Sequence, residues 1–144
     1  MTNVEKINLL LGKLETKRES NSSLRADNLV RIQELFKLLE VDKKHTDFST
    51  LFHYKAMNLS GIGLKNEDFG EIREGKYIQI IAIATEINTD GEKVIKNLSL
   101  GYYGKAEKLL EKDKSNIIEF VLRWRYEKTF QHSDYYQRLL ATIT

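Results

Sequence analysis

Apolar residues recur at helical spacing through the first 42 positions, and then the period changes. Ile7, Leu10, Leu11 and Leu14 fall at i, i+3, i+4 and i+7, which is one stripe of a helix. Ile32, Leu35, Phe36 and Leu39 make a second stripe, with Glu34 and Lys37 outside it. Between the two, Lys17 to Ser23 is polar, and Asn21, Ser22 and Ser23 are residue types that cap helices. The pattern predicts a helical hairpin, with helices near residues 3–17 and 23–42.

From about residue 48 the pattern turns to strands. Ala56 to Leu64 is short, mixed and marked by glycine, like a strand with a bulge or a close backbone approach. Tyr77 to Ile87 is rich in Ile, Thr and Tyr, with both faces largely apolar. Asn88 to Gly91 predicts a hairpin turn, in which Asp90-Gly91 supplies positive φ angles. Val94 to Tyr103 is the return strand. Strict alternation places Leu98, Leu100 and Tyr102 on one face, and Asn97, Ser99 and Tyr103 on the other. Lys105 to Lys112 predicts a short helix with Ala106, Leu109 and Leu110 at helical spacing. Ile117 to Lys128 and Tyr135 to Thr142 then predict a fourth and a fifth strand, joined through Gln131 to Asp134.

The expected architecture is α+β. Residues 1–44 form a helical hairpin extension, and residues 45–144 form a five-stranded OB-type β-barrel with one helix between the third and fourth strands. Periodicity does not establish closure of the barrel. A small α+β sheet with a helix on one face gives the same string of elements.

Composition narrows the class. The 144 residues are 41% hydrophobic and 31% charged, with no Cys and no Pro. A folded globular chain is expected, without disulfides or thiolate metal sites. No run reaches the roughly 20 apolar residues of a membrane helix, and the start lacks a secretory pattern, so a cytoplasmic protein of a bacterium or of a mobile element within one is expected. Net charge is only +2, from 23 basic and 21 acidic residues. That is weak for a duplex binder, so a nucleic-acid site here must rest on local placement and stacking.

Three segments resemble the single-stranded DNA-binding protein family of bacteria and phages. They are Asn58–Gly63 (NLSGIG), Leu100–Lys112 (LGYYGKAEKLLEK) and Ser115–Tyr136, whose Arg residues alternate before an aromatic-rich end. The resemblance spans about Phe52 to Ile143. It implies an OB-fold that binds single strands in replication or recombination. The chain departs from the family in its N-terminal helices and in having no acidic tail after Thr144, which fits a phage or mobile-element variant whose partner contacts moved to the helices.

Single-strand binding needs flat rings for bases and cations for phosphates. On the fourth predicted strand Phe120, Leu122 and Trp124 share a face taken as inward, leaving Val121, Arg123 and Arg125 outward. The resulting candidate surface is Tyr103, Arg123, Arg125, Lys128, Tyr136 and Arg138, with Tyr77 and Tyr126 as further members. The bland reading is that the tyrosines seal barrel ends and the arginines keep an edge soluble.

Enzyme signals are poor, and no cofactor is expected. The pairs His45-Thr46 and His132-Ser133 put their side chains on opposite strand faces, so they cannot share a substrate phosphate. No glycine-rich phosphate loop or serine elbow occurs. Asp42, His45 and Asp47 read as well as a polar linker as a weak metal site, and Asp68, Glu71 and Glu74 as loop charges. The expected function is largely sequence-independent binding of single-stranded DNA, with RNA not distinguished. The alternative is a protein-interaction module that docks on a replication or defence protein without touching nucleic acid. A polymerase, primase or helicase is the kind of partner the N-terminal helices would take. Edge strands or the helices could also pair two copies of the chain.

Overall fold

In the computed structural model the backbone is described for residues 2–144, and side chains for residues 2–10 and 22–144. Two long helices flank a three-stranded sheet. Helix α1 spans Asn3–Leu38, β1 Ala56–Ser60, β2 Tyr77–Ile87, β3 Lys93–Lys105 and α2 Glu111–Thr142. The sheet is an antiparallel meander in the order β1-β2-β3. Short 3-10 turns occupy Val41–Lys43, Phe48–His53 and Ala106–Lys108.

The five-stranded barrel is therefore not formed: the sheet is open and has three strands. Ile117 to Lys128 and Tyr135 to Thr142 both lie within α2. The reason is periodicity over the full span. Ile117, Phe120, Val121 and Trp124 fall at i, i+3, i+4 and i+7, and all four are buried. Leu122, assigned inward with Phe120 and Trp124, is only half-buried. No Gly or Pro interrupts the chain between Gly104 and Thr144, so nothing stops a helix once it starts. Glu111 and Asp113 sit in its first turn, where carboxylates complement the helix dipole.

The predicted helical hairpin is likewise one helix. Asn21, Ser22 and Ser23 lie inside α1, whose start is fixed by a capping box between Thr2 and Glu5. Helix α1 ends at Leu38, and two residues on Glu40 adopts a left-handed conformation with φ 59°. Of the predicted helix at Lys105 to Lys112, Lys105 ends β3, Ala106–Lys108 is a 3-10 turn, and Glu111 and Lys112 already begin α2.

Strands two and three and their turn stand where the sequence puts them. Gly91 takes φ 81°, and Asn88 Oδ1 accepts from the backbone N–H groups of Asp90 and Glu92. The inner face of the sheet, with Met57, Ile78, Ile80, Ala82 and Leu100, packs on α2 and the second half of α1. The two helices are antiparallel: Arg25 meets Glu127, Asn28 meets Arg123 and Arg31 meets Glu119. Trp124 anchors this layer, donating from Nε1 to the Leu51 carbonyl at 3.0 Å.

Glu119 links stability to pH. Hydrogen bonds from Arg31, and then from Arg123, hold its carboxyl below the usual carboxylate range against the opposing effect of burial. A depressed folded value contributes stability that is present above the unfolded value, about 4.3 for Glu, and is lost as pH falls through the folded one. The midpoint temperature is therefore expected to fall below about pH 4, with a shallower fall in Glu119→Gln. Thermal melts followed by circular dichroism between pH 3 and 7 check this.

Candidate nucleic-acid interface

The residues that alternation assigned to a single surface are dispersed, and most are spent on the fold. Arg125 donates from Nε and Nη2 to the Met57 carbonyl at 3.0 and 2.9 Å, and from Nη2 to Asn58 Oδ1 at 3.3 Å, closing the free edge of β1. Arg123 donates to Glu119 at 2.7 Å and to Asn28 Oδ1 at 3.0 Å in the seam between helices. Lys128 donates to the Phe52 carbonyl at 2.7 Å and lies over the Trp124 ring; burial pushes its ammonium below the usual lysine range. These three cations satisfy main-chain carbonyls or a helix seam. Tyr126 is exposed on α2 and packs on Phe130. Tyr136 and Arg138 are exposed near the far end of α2.

Tyr103 changes face. It is half-buried, and its hydroxyl donates to the Leu39 carbonyl at 2.9 Å. Burial raises its phenol well above the usual range. The cause is the register. Ile80 pairs with Gly101 while Ile81 pairs with Ser99, so Leu100 is an extra residue in β3. A bulge of one residue reverses the alternation beyond it. Leu98 and Leu100 stay inward, but Tyr102 turns outward and Tyr103 turns in. Gly101 permits this: a Cβ there would collide with the Tyr103 ring.

Tyr102 is the residue that sequence reading missed. It is 59% exposed and lies beside Tyr77, which is 49% exposed, with ring centroids 5.8 Å apart and planes 30° apart. The signal was Gly101 inside a strand, a common mark of a bulge. The two tyrosines stand on the outer face of the sheet, which neither helix covers. Directly paired residues share a face. The pairings therefore put Asn58, Ser60, Gln79, Ile81, Ser99 and Asn97 on that face with them. Lys105 pairs with Tyr77 at one end, and Lys93 with Ile87 at the other.

No residue of this outer face is acidic, although the chain carries 21 carboxylates. Glu86 and Lys96 pair with each other on the opposite face. Glu107 holds its carboxyl below the usual range through its own backbone N–H and then through the Gly75 N–H, from which it accepts at 3.1 Å. Arg125 reaches the β1 border through its contact with Asn58. The face therefore combines two adjacent rings, amide and hydroxyl groups, an isoleucine strip and a cation near each border.

His45 sits between the Tyr54 hydroxyl at 2.9 Å and Thr50 Oγ1 at 2.8 Å, and Asp47 caps the following turn through the Ser49 N–H. Asp68 accepts from the Lys65 N–H and from Arg73. Among the described residues no group of three metal-ligating side chains converges, and no helix is long and apolar enough to cross a membrane. The chain matches no protein-family model, no curated protein and no solved structure. The OB barrel implied by the resemblance to single-stranded DNA-binding proteins is not the architecture adopted.

Proposed function

We propose that the protein binds single-stranded nucleic acid on the open face of its sheet. The observation that carries this reading is the Tyr77–Tyr102 pair on a face without carboxylates. Bases stack on such rings with about 1–3 kcal/mol each, whatever their sequence. Asn58, Gln79, Asn97 and Ser99 offer donors and acceptors to base edges or sugars. Lys105 and Lys93 stand near the borders, where a strand crossing the sheet would carry its phosphates. An open sheet with aromatic platforms is a recurrent solution for single strands. The near-neutral net charge fits, because the attraction is local.

The test is fluorescence anisotropy of a labelled oligo-dT of about 30 nucleotides, several binding sites long. Tyr102→Ala should weaken binding about tenfold or more, at one stacked base per ring. Lys105→Ala should reduce the slope of log affinity against log salt by about 0.7, one phosphate contact on a single strand. Arg123→Ala should leave affinity unchanged, because its guanidinium faces α1 and not the sheet. Absence of binding at low salt, or full binding by Tyr77→Ala/Tyr102→Ala, would rule out this face.

A second reading, a protein-interaction module, is favoured by a separate observation. Ile87 and Ile95 are exposed on the sheet, and apolar side chains stand free on the outer part of the helices.

A further inference from the structure

The helix pair extends beyond the core. After Glu127 no residue of α2 is buried, and before Asn28 no described side chain of α1 is buried. At 1.5 Å per residue, the last 15 residues of α2 run on for roughly 20 Å. Among the described side chains Arg25 of α1 reaches them: it donates to Glu127 and to Asp134, each at 2.6 Å, and lies over the Phe130 ring. Asp134 thereby marks the side of α2 that faces α1. Tyr136, Leu139, Leu140 and Ile143 follow at intervals of 3, 1 and 3 residues, which gathers them on one stripe. At 100° per residue that stripe lies across the helix from Asp134. These four side chains are 60%, 45%, 60% and 79% exposed. Val4, Ile7 and Leu10 are exposed at the same end of the molecule, because the helices are antiparallel.

We infer that this stripe is a homodimer contact, in which the α2 end of one chain packs on the α2 end of a second copy. Three features choose that occupant. The first is charge: residues 131–144 carry only Asp134 and Arg138, one of each sign, and Asp134 is already paired. The stripe itself holds no charged residue, so two copies meet without like-charge repulsion, whereas a membrane surface or a nucleic acid would find no cation on it. The second is self-complementarity. A stripe of Leu, Ile and Tyr matches itself across a two-fold axis, as an isologous contact requires. The third is area. The four side chains expose on the order of 500 Å² per copy, so an isologous contact that covers them fully reaches on the order of 1,000 Å², the lower limit of a specific interface. Such a dimer would present two sheet faces on one particle, and a long single strand could engage both.

The test uses the full chain without nucleic acid, so its result is independent of the sheet reading. Light scattering after size exclusion should give twice the chain mass of 16.8 kDa at tens of micromolar, and 16.8 kDa for Leu140→Glu/Ile143→Glu. Circular dichroism should show both folded, since the substituted positions touch no core. The absence of Cys supplies a second readout. Leu140→Cys should oxidise to a crosslinked dimer, and Ser115→Cys, at the other end of α2, should not. A wild-type mass of 16.8 kDa, or a dimer that survives the double substitution, would overturn the inference.

Discussion

Trp124→Ala is expected to lower unfolding stability by about 3–5 kcal/mol, the cost of an aromatic-to-alanine change in a core. The indole is almost fully buried, and its plane lies 12° from that of Phe52 with centroids 6.3 Å apart. It touches three parts of the molecule. Its N–H satisfies the Leu51 carbonyl, its ring supports Phe52, and its face carries the Lys128 ammonium. Alanine therefore leaves a cavity, an unpaired carbonyl and an unseated cation together. Trp124→Phe keeps most of the ring and isolates the hydrogen bond, for which about 0.5–1.5 kcal/mol is expected. Urea titrations followed by far-ultraviolet circular dichroism measure both, since the variants lack the only tryptophan. A loss under 1 kcal/mol in the alanine variant would show that α2 does not pack through this residue.

The second large effect is expected at Arg25. Glu127 is 1% exposed, and Arg25 Nε donates to its carboxylate at 2.6 Å. Arg25→Met removes the partner and leaves a buried charge, which costs about 3–5 kcal/mol. The same change frees Asp134, but that carboxylate is half exposed and loses little. The double variant Arg25→Met/Glu127→Leu should recover most or all of the loss, because an apolar pair of similar volume often equals a buried ion pair. Chemical denaturation of the two single variants and the double variant gives the coupling directly. Additive losses would mean that Glu127 finds water or another donor when Arg25 is gone.

The strands and the long helices were unequally legible. Tyr77 to Ile87 and Val94 to Tyr103 combine β-branched residues with an Asp-Gly turn, and propensity, pattern and turn chemistry agree there. Helix α2 was misread because Phe120, Leu122 and Trp124 alternate over five residues. A helix also puts i and i+4 on one face, so over that window the two periods look alike. Ile117 and Val121 break the tie, but only when the whole span is counted. The polar segment Lys17 to Ser23 looked like a turn, although no Gly or Pro lies within it to end a helix.

The candidate site was less legible than the fold. The phosphate candidates Arg125 and Lys128 reach the carbonyls of Met57 and Phe52, 68 and 76 residues away. No local pattern announces where so long a side chain ends. Tyr102 and Tyr103 exchanged roles through a single extra residue at Leu100, which the strict period of two cannot see.

The pairing of the first helix with the last has a kinetic consequence. Arg31 meets Glu119 across 88 residues, and Asn28 meets Arg123 across 95. Closing so long a loop costs entropy before any contact returns it, and topologies of this kind fold slowly. During synthesis the meander emerges complete while its inner face, with Ile78, Ile80 and Leu100, still lacks Phe120 and Trp124. The nascent chain must carry an apolar sheet covered only by the second half of α1 until α2 leaves the ribosome. A chaperone that holds extended apolar segments would have its longest opportunity in that interval.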